Sequence, residues 1–329
     1  MIVRNACRFA FVLALLAAGW GWLEAVPALA QTAAAAASAP MTVDAAQWRQ
    51  DLAAWRAQRE REIDAPDGWL TLVGLDWLKP GINSVGAAAD NHIQVRGQAP
   101  DHLGLITVSG KPQTGMIVQL LAPSGGFPPE PTIDGQPARE GSITAGGAKP
   151  SILAWRGLTM VVLERGGRYV LRIKDAKSPT RTGFHGLKWY APDLDYRITA
   201  KWIPFTPPHI EKIPTIIGTT LDLPAPGVAE FMIGGVTLRL EPVIEAGEAN
   251  VLFFILRDQT SQTTTYQAAR FLHTGLPDHG LGQPGLLTLD FNRLENPPCA
   301  YTPYATCPLP PDQNRLPVTL EAGEQRYAH

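Results

Sequence analysis

The residues best suited to chemistry gather toward the C-terminal end of the chain. Arg270, Asp290 and Asn292 stand in strand-like runs, and a proline-dense segment follows: Asn296-Pro297-Pro298-Cys299-Ala300-Tyr301-Thr302-Pro303-Tyr304-Ala305-Thr306-Cys307-Pro308, then Arg315. Proline fixes φ and removes a backbone donor, so the segment is neither helix nor central strand but a stiff, shaped loop. Stiff loops that carry polar side chains are common places for binding and catalysis. Strand alternation places Asp290 and Asn292 on one face and Phe291 on the other. A carboxylate turned into a β core needs a cation, and Arg270 is the expected partner. Arg270, Asp290, Asn292, Asn296, Thr302, Tyr304 and Arg315 therefore form a candidate polar cluster. It suits a ligand site, a general base at Asp290 with Arg270 stabilising charge, or a structural ion pair that anchors the loop.

Other motifs fail on context. Gly280-Leu281-Gly282-Gln283-Pro284-Gly285 has the glycine spacing of a dinucleotide fingerprint. That fingerprint must follow a strand and open a helix whose N-terminus holds pyrophosphate, whereas here Pro277 and Asp278 precede it and a strand-like run follows. Gly110-Lys111 meets Pro112 where a phosphate loop needs Ser or Thr, and no Gly-x-Ser-x-Gly elbow is present. His92, His102, His185, His209, His273 and His279 show no i, i+4 pairing around a glutamate, so neither a metal site nor a cofactor is expected.

Export is written at the N-terminus. Arg4 and Arg8 precede an apolar run at 9–19, and Ala28-Leu29-Ala30 before Gln31 fits a cleavage site. Glu24 and Pro27 interrupt the apolar stretch too early for a membrane span. A signal peptide over 1–30 is expected, followed by an Ala-rich tether at 31–43 and a periplasmic or secreted protein with no membrane span after cleavage. Cleavage leaves Cys299 and Cys307, a close pair expected to form a disulfide in an oxidising compartment; a reactive thiol or metal pair is the alternative. With 28 Lys and Arg against 30 Asp and Glu, the chain lacks the basic field that nucleic acid requires, and no such partner is expected.

Asp44, with Gln47 three residues on, starts a helix over 44–66 that carries Trp48, Leu52 and Trp55 at i, i+4 and i+7. Arg56, Arg59, Glu60 and Arg61 lie off that stripe and read as a solvated face. Short β-rich runs follow at 69–74, 83–85, 92–95, 105–109, 116–121, 158–165 and 169–174. Turn signals such as Arg165-Gly166-Gly167-Arg168 separate them, the pattern of a β-sandwich over 67–176. A basic stretch at 177–187 reads as a linker. A second set of about eight runs, with a Gly234-Gly235 hairpin turn, predicts an antiparallel barrel-like domain over 188–325. The fold class is mainly β.

Two resemblances add to this. The segment 78–95, with Pro80-Gly81-Ile82-Asn83-Ser84-Val85-Gly86, and Ile133-Asp134-Gly135-Gln136-Pro137 resemble forkhead-associated sandwiches. Ala87 stands where those domains carry arginine, and their Ser-x-x-His is missing, so phosphothreonine reading is not implied. Gly68-Trp69-Leu70-Thr71-Leu72-Val73-Gly74-Leu75, Arg181-Thr182-Gly183-Phe184, Ala269-Arg270-Phe271-Leu272, Leu289-Asp290-Phe291-Asn292 and the loop at 296–314 together resemble the bacterial and archaeal family called domain of unknown function 1684. That resemblance implies boundaries and no activity. The function expected from the residues is binding of a small molecule or peptide at the second β domain. A hydrolase using Asp290 with Arg270, and a structural envelope module, are the alternatives.

Overall fold

Apolar residues at every second position build the first half of the fold. The structure is a computed structural model, and it describes residues 43–96, 99–111 and 114–328. The expected signal and most of the tether lie outside these residues. Helix α1 (Ala45–Ile63) opens on Asp44, whose carboxylate accepts from the N–H groups of Ala46 and Gln47, and it buries Trp48, Leu52 and Ile63. The sandwich strands are β1 (Leu72–Trp77), β2 (Gly81–Gly86), β3 (Ile93–Gln94), β4 (Gly104–Lys111), β5 (Gly115–Leu121) and β6 (Thr132–Ile133). They continue as β7 (Gln136–Pro137), β8 (Gly141–Ser142), β9 (Ile152–Trp155), β10 (Leu158–Arg165) and β11 (Arg168–Asp175).

One sheet runs β1-β11-β10-β9-β6-β7 and the other β3-β2-β4-β5-β8. Their inner faces meet over Val85, Ile106, Val118 and Leu120 from one and Leu153, Met160, Val162, Leu171 and Ile173 from the other, the layering of a β-sandwich. The β10–β11 hairpin turns on Gly166 and Gly167, at φ of 57° and 71°. Positive φ at both central residues is what a two-residue hairpin turn demands. Because Leu171 and Ile173 point inward, Arg172 between them points out of the sandwich, as does Arg165, three positions past Val162.

The second half holds β12 (Arg197–Pro214), β13 (Thr220–Ile233), β14 (Val236–Leu240), β15 (Leu252–Leu256), β16 (Arg270–Thr274) and β17 (Gly285–Asp290). They pair as a four-stranded sheet, β14-β13-β12-β17, and a ribbon, β15-β16. Among the described residues no barrel closes, contrary to expectation. Within β12, Pro204, Pro207 and Pro208 interrupt the run. Its register with β13 shifts between Pro204 and His209, and its pairing with β17 ends at Trp202. Proline supplies no ladder donor, so the pairing of β12 with β17 stops short of Pro204, and the edge strands β14 and β17 are not paired with each other.

All five residues of β15 are buried. Leu252, Phe254 and Leu256 enter a core with Trp202, Phe231, Leu289 and Phe291, while Phe253 and Ile255 enter another with Ile213, Phe271, Ala305 and Cys307. A strand covered on both faces reads as a continuous apolar run rather than an alternation. From Asp44 onward the chain forms one compact unit, and no helix among the described residues is long and apolar enough to cross a membrane.

Candidate functional site

The expected pairing of Arg270 with Asp290 does not occur. Arg270, at the start of β16, is 1% exposed, and its Nη1 donates to Asp258 Oδ2 at 3.0 Å and to the Leu320 carbonyl at 2.8 Å. Its Nη2 donates to the Ala322 carbonyl. Asp290 instead accepts from Trp48 Nε1 at 2.8 Å and from the backbone N–H and Nδ2 of Asn292 at 3.2 and 3.0 Å. Each charge is satisfied by a partner that pattern alone does not pick out, because Asp258 caps a short turn and Trp48 lies on α1. Asn292 also exchanges hydrogen bonds with the backbone of Asp193.

The proline loop is held from below. Glu324 accepts from the Asn296 N–H at 2.8 Å, from Tyr301 Oη at 2.6 Å and from Arg59 Nε at 3.0 Å. Arg59 also donates to the Asn296 carbonyl at 2.9 Å and lies 3.3 Å from Glu295. Its side chain is 12% exposed, so this part of α1 is not the solvated face that its charge suggests. Thr302 donates to the Leu72 carbonyl at 3.2 Å. Tyr304 is half-buried, and Arg315 pairs at the surface with Asp312 at 3.3 Å. The polar cluster read from the sequence is thus dispersed over several places.

What the loop does build is one wall of a cleft of about 650 Å³. Asn296, Thr306 and Cys307 belong to that wall, and Leu223, Phe253 and Phe271 supply an apolar floor. Across from them stand Arg165 and Arg172, projecting from the outer face of β10 and β11. Arg165 donates to its neighbour's carbonyl at 2.7 Å and to Thr306 Oγ1 at 3.5 Å. Arg172 has only the Trp69 ring, 5.8 Å from its guanidinium carbon, and its buried Nε has no acceptor among the described residues. Burial and the Arg165 charge push the Arg172 guanidinium down to about 10, which leaves it charged at neutral pH. No carboxylate among the described residues lies within ion-pair distance of either arginine. Glu295 and Glu245 also line the cleft. Glu295 lies 3.3 Å from both Arg59 and His273, and burial pushes the Glu245 carboxyl up.

Residues 182–325 match the family described as protein of unknown function (DUF1684). The solution NMR structure of an uncharacterised protein of Haloarcula marismortui is 31% identical, over 44% of this chain and 78% of that one, with a TM-score of 0.38. This chain belongs to the DUF1684 family. No curated protein is significantly similar to it. The DUF1684 match takes in the proline loop and the cleft floor, whereas Arg165 and Arg172 come from the sandwich before it.

Cys299 and Cys307 are free thiols in the structure, not the expected disulfide. The loop brings them together, and the Cys299 N–H donates to Cys307 Sγ at 3.0 Å. The hydrogen bond between the thiols lowers the pKa of Cys299 and raises that of Cys307, with burial raising Cys307 further. His209 meets two acids at the surface that no sequence motif joins to it. His209 Nε2 lies 3.3 Å from Glu211 and 3.9 Å from Glu241, and Glu241 in turn accepts from Gln313. They are ligand-type side chains brought together by β12 and the segment after β14, a proximity that no local motif marks.

Proposed function

We propose that this DUF1684 protein is exported and binds a small molecule or peptide in the cleft between the sandwich and the proline loop. The observation that carries the reading is a pair of arginines with no carboxylate within ion-pair distance among the described residues, lining a cavity of about 650 Å³. Ligand sites of this size are apolar with a few fixed polar groups, which matches Phe253, Phe271 and Leu223 beside Arg165, Arg172 and Asn296. A guanidinium kept partly buried without a partner costs stability, and an approaching ligand recovers that cost. The experiment fills the cleft. Leu223 is half-buried on its floor, and Leu223→Trp should abolish binding of the neutral dye Nile red while the thermal transition stays near that of wild type. Undiminished dye binding in this variant would move the site elsewhere.

Export rests on the Arg4, Arg8 and 9–19 pattern with Ala28-Leu29-Ala30, and it sets the state of the thiols. Cys299, the more acidic of the pair, attacks the disulfide of an exported dithiol oxidoreductase. The Cys307 thiolate then attacks the Cys299 sulfur of the mixed disulfide and releases the partner's second sulfur as a thiol, so both protein thiols are oxidised as the partner disulfide is reduced to two thiols. Protein recovered from the cell envelope should begin at Gln31, have lost the two thiol hydrogens and resist alkylation until reduced. An intact N-terminus, or two alkylated cysteines without reduction, would defeat this part.

A further inference from the structure

Three features bear on what the cleft takes. The first is charge. Arg165 and Arg172 are two cations on neighbouring strands, and neither has a carboxylate partner among the described residues. Arg172 Nε is buried without an acceptor among the described residues, so this one donor has given up water without receiving a protein group in exchange. The second is orientation. Strand alternation aims Arg172 away from the sandwich core that holds Leu171 and Ile173, and Arg165 is steadied by the Glu164 carbonyl and Thr306 Oγ1. The third is the floor, where Phe253 and Phe271 meet edge to face at 4.8 Å and Leu223 lies beside them. Planar guanidinium groups pair with carboxylate and phosphate oxygens through two parallel N–H donors, and partial burial strengthens such bonds.

We propose that the cleft ligand is an anion with an apolar body: a carboxylate or phosphate oxygen pair docks on Arg172 and Arg165, and the remainder lies on Phe253, Phe271 and Leu223. This deepens the cleft reading above and rests on it. Carboxylate and phosphate share the chemistry, so the test separates them.

Calorimetric titration of the full protein uses three probes of one size: phenyl phosphate, benzoate and the neutral benzyl alcohol. Wild type should bind at least one of the anions about tenfold or more tighter than benzyl alcohol, consistent with a charge-assisted pair. The tighter of phenyl phosphate and benzoate identifies the head group. Arg172→Met should weaken the preferred anion by about tenfold to a hundredfold, and Arg172→Lys should recover part of the loss. Arg165→Met should weaken it to a lesser degree. Without ligand, Arg172→Met should melt at a higher temperature than wild type, because it removes a partly buried charge that no protein group compensates; a structural arginine would give the opposite shift. Equal binding of the three probes, no binding of either anion, or an Arg172→Met variant with unchanged anion affinity and a lower melting temperature would overturn the anion inference. Retained Nile red binding that Leu223→Trp abolishes would then leave the cleft reading standing. Absence of Nile red binding as well would remove both.

Discussion

Asp258→Ala should cost the fold about 3–5 kcal/mol, the range for stripping one partner from a buried ion pair, seen as a lower urea midpoint at unchanged slope. The side chains of Asp258 and Arg270 are 0% and 1% exposed. Truncating the carboxylate strands the guanidinium on carbonyl oxygens alone and removes the acceptor of the Thr260 and Leu320 N–H groups. Asp290→Ala is the contrast. It leaves Trp48 Nε1 and the Asn292 donors without their acceptor, a loss of about 1–3 kcal/mol for an unsatisfied buried group. Were Asp290 the partner of Arg270, the order would invert, so urea unfolding of the two variants beside wild type decides between the arrangements.

Glu324→Ala carries an expected loss of similar size, about 3–5 kcal/mol, for a different reason. One carboxylate there holds α1 through Arg59, the proline loop through the Asn296 N–H, and Tyr301 through its hydroxyl. Burial pushes the Glu324 carboxyl up and the nearby Arg59 charge draws it back. Either single variant breaks the Arg59–Glu324 pair, so the Arg59→Met, Glu324→Ala double variant should cost less than the sum of the single losses, by an amount that Glu295, 3.3 Å from Arg59, reduces. Strict additivity in a denaturant cycle would mean that the two side chains do not act as a pair.

How far the sequence announces this architecture depends on how local each signal is. The start of α1 is legible because Asp44 caps the helix within its own first turn and Trp48 and Leu52 repeat at the helical period. The Gly166-Gly167 and Gly234-Gly235 turns are legible because only certain residues tolerate those φ values. The stiffness of the proline loop follows from residue type alone. Partner choice does not. Arg59 looks solvated on its own helix because its main acceptor lies 265 residues away. Arg270 has several candidate carboxylates, and only the three-dimensional path of the chain selects Asp258 over Asp290. Arg172 sits on the polar face of an alternating strand, which normally meets water, and nothing local reveals that a second sheet system covers that face. Strand count in the second half does not tell a closed barrel from an open sheet, because closure depends on whether the edges of β14 and β17 meet, which no local pattern encodes.

The tail that threads under Arg270 has a bearing on how the protein is made. Arg270 holds the carbonyls of Leu320 and Ala322, and Glu324 ties the loop to the first helix. During synthesis these tail residues emerge after nearly all of the elements they fasten, so the buried charges of Arg59, Asp258 and Arg270 lack part of their neutralising shell until then. A chain made only as far as β17 therefore holds Arg270 on Asp258 and lacks the two tail carbonyls and the Glu324 carboxylate that complete the shell of these charges.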